Sequence, residues 1–134
     1  MNGPELSVEH IGLASRDTVA LKDWYTTILG ARVVFDNGET PPAFVVALAG
    51  GALVEIYPAD TADAETGNNK LAGWRHLALR TESISAAIQD LAGRGVRFIT
   101  EIRPAGGGGK VIFFQDLDGN LLHLVERNPE SKVR

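Results

Sequence analysis

The 134-residue sequence contains no cysteine. Disulfides, cysteine zinc sites, iron–sulfur clusters and thiol nucleophiles are excluded with it. An excess of basic charge is also missing, because 13 Lys+Arg stand against 17 Asp+Glu for a net charge of −4. Nucleic acid and anionic membranes are met by clustered positive charge, so neither is an expected partner. No apolar run is long. The longest, residues 43–54, is broken by Gly50-Gly51, whereas a bilayer span needs ~20 residues. The opening Met1-Asn2-Gly3-Pro4-Glu5 lacks the basic start and apolar stretch of a secretory signal. These absences predict a cytoplasmic protein. Histidine is scarce too, with three copies at His10, His76 and His123. The remaining composition, 44% hydrophobic and 22% charged, is that of a folded chain rather than a disordered one. The length suits a single domain that buries about two-thirds of its unfolded surface without staples.

Turn residues divide the chain into short segments. Residues 6–14 read as a strand between Pro4 and Asp17. Val19, Leu21, Trp24, Tyr25, Ile28 and Leu29 recur at helical spacing over residues 18–29, with Asp17 placed to cap the start and Gly30 to end it. Strands are predicted at 32–36, 44–48 and 52–57, separated by Asn37-Gly38, Pro41-Pro42 and Gly50-Gly51. Residues 59–73 are polar and read as an exposed connector. The pattern then repeats: a strand at 74–81, a helix marked by Ile84, Ala87, Ile88 and Leu91 and ending near Gly93-Arg94-Gly95, then strands at 96–102, 110–115 and 121–126. The reading is therefore one α+β domain over 1–134. It is built of two βαβββ modules, about 6–58 and 74–127, joined by the connector.

The repeat aligns chemistry as well as pattern. His10-Ile11-Gly12-Leu13-Ala14 matches His76-Leu77-Ala78-Leu79-Arg80. Each histidine lies in the first strand of its module, 20 residues before Gly30 in one case and 19 before Gly95 in the other. The last strand of each module carries Glu55 or His123, at 45 and 47 residues beyond those histidines. A carboxylate among Leu53, Val54 and Ile56 is costly unless it is paired or bound to a cation. Four potential metal ligands, His10, Glu55, His76 and His123, thus occupy equivalent places in two copies of one module. Each is also compatible with an ordinary hydrogen-bonded strand residue, and Glu55 with an ion pair to Arg75 or Arg80. Glu126, three residues from His123, points to the opposite strand face and is left out of the ligand set.

Three segments carry a family resemblance: Val8-Glu9-His10-Ile11-Gly12-Leu13, Trp24-Tyr25-Thr26-Thr27-Ile28-Leu29-Gly30, and Phe113-Phe114-Gln115-Asp116-Leu117-Asp118-Gly119-Asn120. Together they resemble the vicinal oxygen chelate superfamily, which includes glyoxalase I, methylmalonyl-CoA epimerase, extradiol dioxygenases, and fosfomycin- and bleomycin-resistance proteins. The resemblance covers about residues 6–127. It implies an eight-stranded, incompletely closed mixed barrel around a divalent metal, a small-molecule substrate and a homodimer. It also implies His10, Glu55 and His76 as ligands. In glyoxalase I and the epimerases the fourth ligand, four residues after the signature glycine, is Glu. Here that position is His123. Three His and one Glu favour Fe²⁺, Co²⁺, Ni²⁺ or Zn²⁺ over Mg²⁺.

Four protein ligands leave two positions of a six-coordinate metal for a chelating substrate. That count favours lyase, isomerase or epimerase chemistry on a small α-oxygenated carbonyl compound, with enolate stabilisation. Glu55 is then the candidate catalytic base, and His123 an alternative proton carrier if it detaches. An Fe(II)-dependent dioxygenase and a non-catalytic antibiotic-binding protein are the alternatives. Arg80 either pairs a substrate carboxylate or stands solvated at a strand end. Phe44, Tyr57, Trp74 and Phe113 either line the cavity or fill the core. Gly106-Gly107-Gly108-Gly109 is read either as a lid over the pocket or as a plain loop.

Overall fold

Two short polar side chains start the two helices. In the computed structural model, which describes residues 4–61 and 65–133, Asp17 Oδ1 accepts from the Ala20 N–H at 3.0 Å at the head of α1 (Thr18–Ile28). Ser83 Oγ accepts from the Ala86 N–H at 3.2 Å at the head of α2 (Ile84–Gly93). Gly30 and Gly95 follow the helices at φ +70° and +93°, a backbone region that a side chain disfavours.

The chain falls into two compact units, residues 1–62 and 63–134. In the first, α1 follows β1 (His10–Ser15) and precedes β2 (Arg32–Asp36), β3 (Phe44–Ala47) and β4 (Leu53–Pro58), which form a mixed sheet in the order β1-β4-β3-β2. The second has β5 (His76–Arg80), α2, β6 (Arg103–Pro104), β7 (Gly109–Gln115) and β8 (Leu121–Arg127), in the order β5-β8-β7-β6. The βαβββ order is thus present in both units. The eight strands are hydrogen-bonded as two four-stranded sheets with no closed barrel among the described residues, so the single eight-stranded barrel expected above is not confirmed.

Strand alternation sends one face of each sheet to its helix. In the first unit Phe44, Val46, Val54 and Ile56 are buried together with Leu21 and Tyr25 of α1, which packs on β3 and β4. In the second, Ile112, Phe114, Leu122 and Leu124 are buried with Ile84 and Leu91 of α2, which packs on β8. His10 and Glu55 in the first unit, and His76 and His123 in the second, lie on the other faces.

One expected strand is mostly missing. Over 96–102 only Phe98 bridges β7, at Phe114. Ile99 N–H then donates to Phe113 C=O at 2.9 Å, while the Phe113 N–H goes to the Thr100 hydroxyl at 3.1 Å. A side-chain oxygen has taken a ladder position, which interrupts regular pairing. The strand resumes for two residues as β6 and stops at Pro104, which has no N–H to offer.

The glycine run is also not a free lid. The Ala105 and Gly109 backbones bond at 3.0 Å. Arg127 Nη1 donates to the Gly106 and Gly108 carbonyls, and buried Ser131 donates its hydroxyl to Gly107 C=O. Gly109, at φ +130°, passes so close to β8 that a Cβ would sit 2.0 Å from the Glu126 carbonyl oxygen. The loop is clasped by the C-terminal segment, and glycine serves close approach there.

Candidate metal-binding half-sites

The register of each sheet builds one pair of ligand candidates. In the parallel β1–β4 ladder, His10 lies opposite Leu53 and Gly12 opposite Glu55. His10 and Glu55 therefore stand one step apart on the face away from α1. His10 Nε2 lies 3.7 Å from Glu55 Oε1, and the two side chains are 38% and 40% exposed. Metal–ligand bonds of ~2.1 Å put neighbouring ligand atoms ~3–3.5 Å apart, so this separation suits two ligands of one ion with little adjustment. Tyr57, on the same face opposite Ala14, lays its ring over Gly12, where an added Cβ would meet Cε1 at 3.2 Å.

The parallel β5–β8 ladder repeats the arrangement. His76 pairs with Leu121 and Ala78 with His123, which again sets two candidates one step apart on one face. The His76 and His123 ring centroids are 4.7 Å apart. Phe113, opposite His123 in the β7–β8 ladder, packs against both rings at 5.8 and 4.9 Å. His123 is buried, and that burial pushes its pKa below the usual imidazole value. The hydrogen bond to Leu124 opposes the shift, and His76 and Arg127 add to it. The neutral ring is the form that binds metal.

The hydrogen bonds of the three imidazoles agree. His10 Nδ1 meets Glu9 Oε1 at 2.9 Å, His76 Nδ1 meets Asn69 Oδ1 at 2.8 Å, and His123 Nδ1 meets Leu124 C=O at 3.3 Å. An ionised carboxylate, an amide oxygen and a peptide carbonyl can only accept. These acceptors suit the Nδ1–H tautomer of each neutral ring, in which Nε2 has the lone pair. In a histidine ligand the bond made by one ring nitrogen decides that the other is free to take the metal. The donor set thus fits a borderline divalent ion. The candidates are gathered two to a unit, and among the described residues no group of three or more His, Asp or Glu is gathered around one point.

The remaining candidates divide. Arg80 lies on the His76 face and is exposed at the end of β5. Phe44 does not share the Glu55 face. It pairs with Ile56, is buried beneath α1, and carries the Lys22 ammonium 5.0 Å above its ring, so its aromatic mass belongs to the core. Trp74 is fully exposed. Glu126 points to the α2 side, as alternation requires, and its Oε1 accepts from the Ile84 N–H at 2.8 Å. Arg75 is occupied with the Trp74, Glu65 and Asn68 carbonyls. The turn signature is structural: buried Asp116 accepts from Asp118 N–H, Asn120 N–H and Asn120 Nδ2. Sequence reading missed Glu9 and Asn69 as histidine partners. Glu9 could have been found by its place next to His10, whereas Asn69 offered no signal.

The chain is similar to known proteins in sequence and in fold. Residues 7–124 match the family model described as Glyoxalase/Bleomycin resistance protein/Dioxygenase superfamily. Mouse mitochondrial methylmalonyl-CoA epimerase is 28% identical over 128 residues, covering 89% of this chain and 72% of that protein. The crystal structure of a glyoxalase family protein from Enterococcus faecalis superposes with a TM-score of 0.76 at 27% identity, covering 90% of this chain and 97% of the other. The fosfomycin resistance protein FosX of Listeria monocytogenes, solved with Mn(II) and a dihydroxypropylphosphonic acid, shares the fold. Its TM-score is 0.69 at 20% identity, covering 96% and 95% of the two chains.

Proposed function

We propose, for a chain that belongs to the glyoxalase/bleomycin resistance protein/dioxygenase superfamily, a metal-dependent lyase, isomerase or epimerase acting on a small α-oxygenated carbonyl compound. His10, Glu55, His76 and His123 are the proposed ligands of one divalent transition metal: iron, cobalt, nickel or zinc. The observation that carries this reading is the shared state of the three imidazoles. Every Nδ1 lies against an acceptor, and in the neutral Nδ1–H form of each ring Nε2 is the nitrogen with a lone pair, that of His10 3.7 Å from Glu55. The epimerase relationship supports this class of chemistry, and the Mn(II) complexed with FosX supports a divalent metal in this fold.

A divalent metal, when bound, supplies Lewis-acid stabilisation of negative charge on a substrate oxygen. The chain's own residues do the rest. Glu55 is the proposed base: its carboxylate is open to solvent along one side and takes the proton from the carbon next to the carbonyl. Arg80 is the proposed partner of a substrate carboxylate, and Tyr57 and Phe113 are the proposed apolar walls beside the two ligand pairs. A homodimer is the proposed assembly.

Elemental analysis of protein purified without chelator tests the metal. About one equivalent of iron, cobalt, nickel or zinc is expected, falling sharply in His123→Ala. Protein that stays metal-free after metal-replete expression defeats the enzyme reading and leaves a small-molecule binder. Exchange of the α-hydrogen of 2-hydroxy- and 2-methyl-carbonyl compounds in D₂O tests the chemistry. Glu55→Gln should slow exchange about 10²–10⁴-fold. Oxygen consumption with catechols, without such exchange, would assign an Fe(II) dioxygenase instead.

A further inference from the structure

The connector before β5 is not an idle link. Within residues 65–73 the Asn68 N–H donates to Glu65 C=O at 3.3 Å, the Leu71 N–H to Asn68 C=O at 3.4 Å, and the Lys70 N–H to Asn68 Oδ1 at 3.0 Å. Arg75 closes the turn from the strand side, because its Nη1 donates to both the Glu65 and the Asn68 carbonyls at 3.3 Å. Gly67 packs on the other side, where an added Cβ would stand 2.8 Å from Gln115 Nε2 and 3.6 Å from the Gly119 carbonyl. Gln115 in turn donates to that same Gly119 carbonyl at 3.3 Å. The turn is thus anchored at the β7–β8 corner by one side and to the start of β5 by the other. The next side chain after Asn68 on this anchored turn is Asn69, whose Oδ1 lies 2.8 Å from His76 Nδ1.

We propose that Asn69, presented by the Arg75-clamped turn, is the positioning residue that fixes the tautomer and ring orientation of His76, so that Nε2 is offered as a metal ligand. The inference rests on the metal reading above for its consequence, but not for its geometry. Its physical basis is the orientation of the amide: Asn69 turns Oδ1 rather than Nδ2 to the ring, and an amide oxygen accepts only, so this orientation pairs with the Nδ1–H form of His76. His10 receives the same service from a carboxylate and His123 from its own strand's backbone. Of the three, His76 alone takes its partner from a distant place in the sequence, a connector residue seven positions away, whereas Glu9 and Leu124 adjoin their histidines. Among the three histidines it is therefore the one whose ligand role can be loosened by changing the connector while leaving both sheets intact.

The test uses full-length protein and two readouts. The His76 tautomer is read in the metal-free state by long-range ¹⁵N–¹H NMR of the imidazoles near about pH 8, where a free ring is neutral. Zn²⁺ affinity is read separately by competition with a chelator. The wild type should show His76 as the Nδ1–H form. Asn69→Ala should shift it toward a tautomer mixture and weaken Zn²⁺ about 10–100-fold, the range for loss of a ligand's orienting partner. Asn69→Asp keeps an acceptor at the same reach and should retain the Nδ1–H form. Arg75→Ala should move the His76 signal in the same direction as Asn69→Ala, and the His10 and His123 signals should stay in place. An unchanged tautomer and unchanged Zn²⁺ affinity in Asn69→Ala overturn the proposal, and thermal melts of each variant exclude unfolding as the cause. A wild type that binds no metal defeats the metal reading alone, and the tautomer measurement still decides what Asn69 does.

Discussion

His123 is buried on β8 with its Nδ1 turned to a carbonyl, and burial holds its pKa below 6.5. The unfolded chain takes up this proton more readily than the folded one. Stability linked to His123 is therefore present above the unfolded value and is lost as pH falls through 6.5 toward the folded pKa. The melting temperature of the metal-free protein should fall between about pH 7.5 and about pH 5.5. The fall should be shallower in His123→Gln, and an equal slope in both would remove His123 as its source. Gly109 gives a second prediction at this scale. Alanine there meets both a φ of +130° and the Glu126 carbonyl at 2.0 Å. Urea unfolding should show a loss of about 3 kcal/mol or more, while alanine at Gly106, with open space around it, should cost far less.

At the scale of elements, the helices hold the sheets from behind and leave the ligand faces free of them. Their starts are fixed by single side chains, so Asp17→Ala and Ser83→Ala should each cost about 1 kcal/mol in chemical denaturation. Glu126 does comparable work for α2 from the far end of β8, through its bond to the Ile84 N–H. Glu126→Ala should destabilise by about 1.5–3 kcal/mol, the range for a hydrogen bond to a charged group, and leave metal content unchanged. Loss of metal in that variant without loss of stability would instead make Glu126 a ligand. The helices and most strands were legible because periodicity and caps are local signals. The strand at 96–102 was not, because the Thr100 hydroxyl competes for the Phe113 N–H, and only the folded neighbourhood reveals that competition.

At the scale of the whole molecule, each of the two units carries one pair of the proposed metal ligands, and an ion that binds only the folded state stabilises it by mass action. At free metal about 100 times the dissociation constant, the gain is about 2.7 kcal/mol. Calorimetry should therefore show a lower melting temperature after chelator treatment, restored by adding back Zn²⁺ or Co²⁺. A melting temperature indifferent to chelator in protein that carries metal would place the ion outside this ligand set. No described helix is long and apolar enough to cross a membrane.

The sequence alone determined the doubled βαβββ plan, the helix caps, the exclusion of sulfur chemistry, and the four repeat-related positions held by histidine or glutamate. These follow from local spacing and from repetition, both of which survive without a fold. Only the tertiary structure decided the rest. Register placed Tyr57 on the Glu55 face and Phe44 on the opposite one, one residue step apart in the ladder. Close packing of the C-terminal segment turned a flexible-looking glycine run into a clasped loop. An anchored turn brought Asn69 to His76 across seven residues. Each of these depends on which strand or loop lies beside which, and spacing along one chain does not encode that.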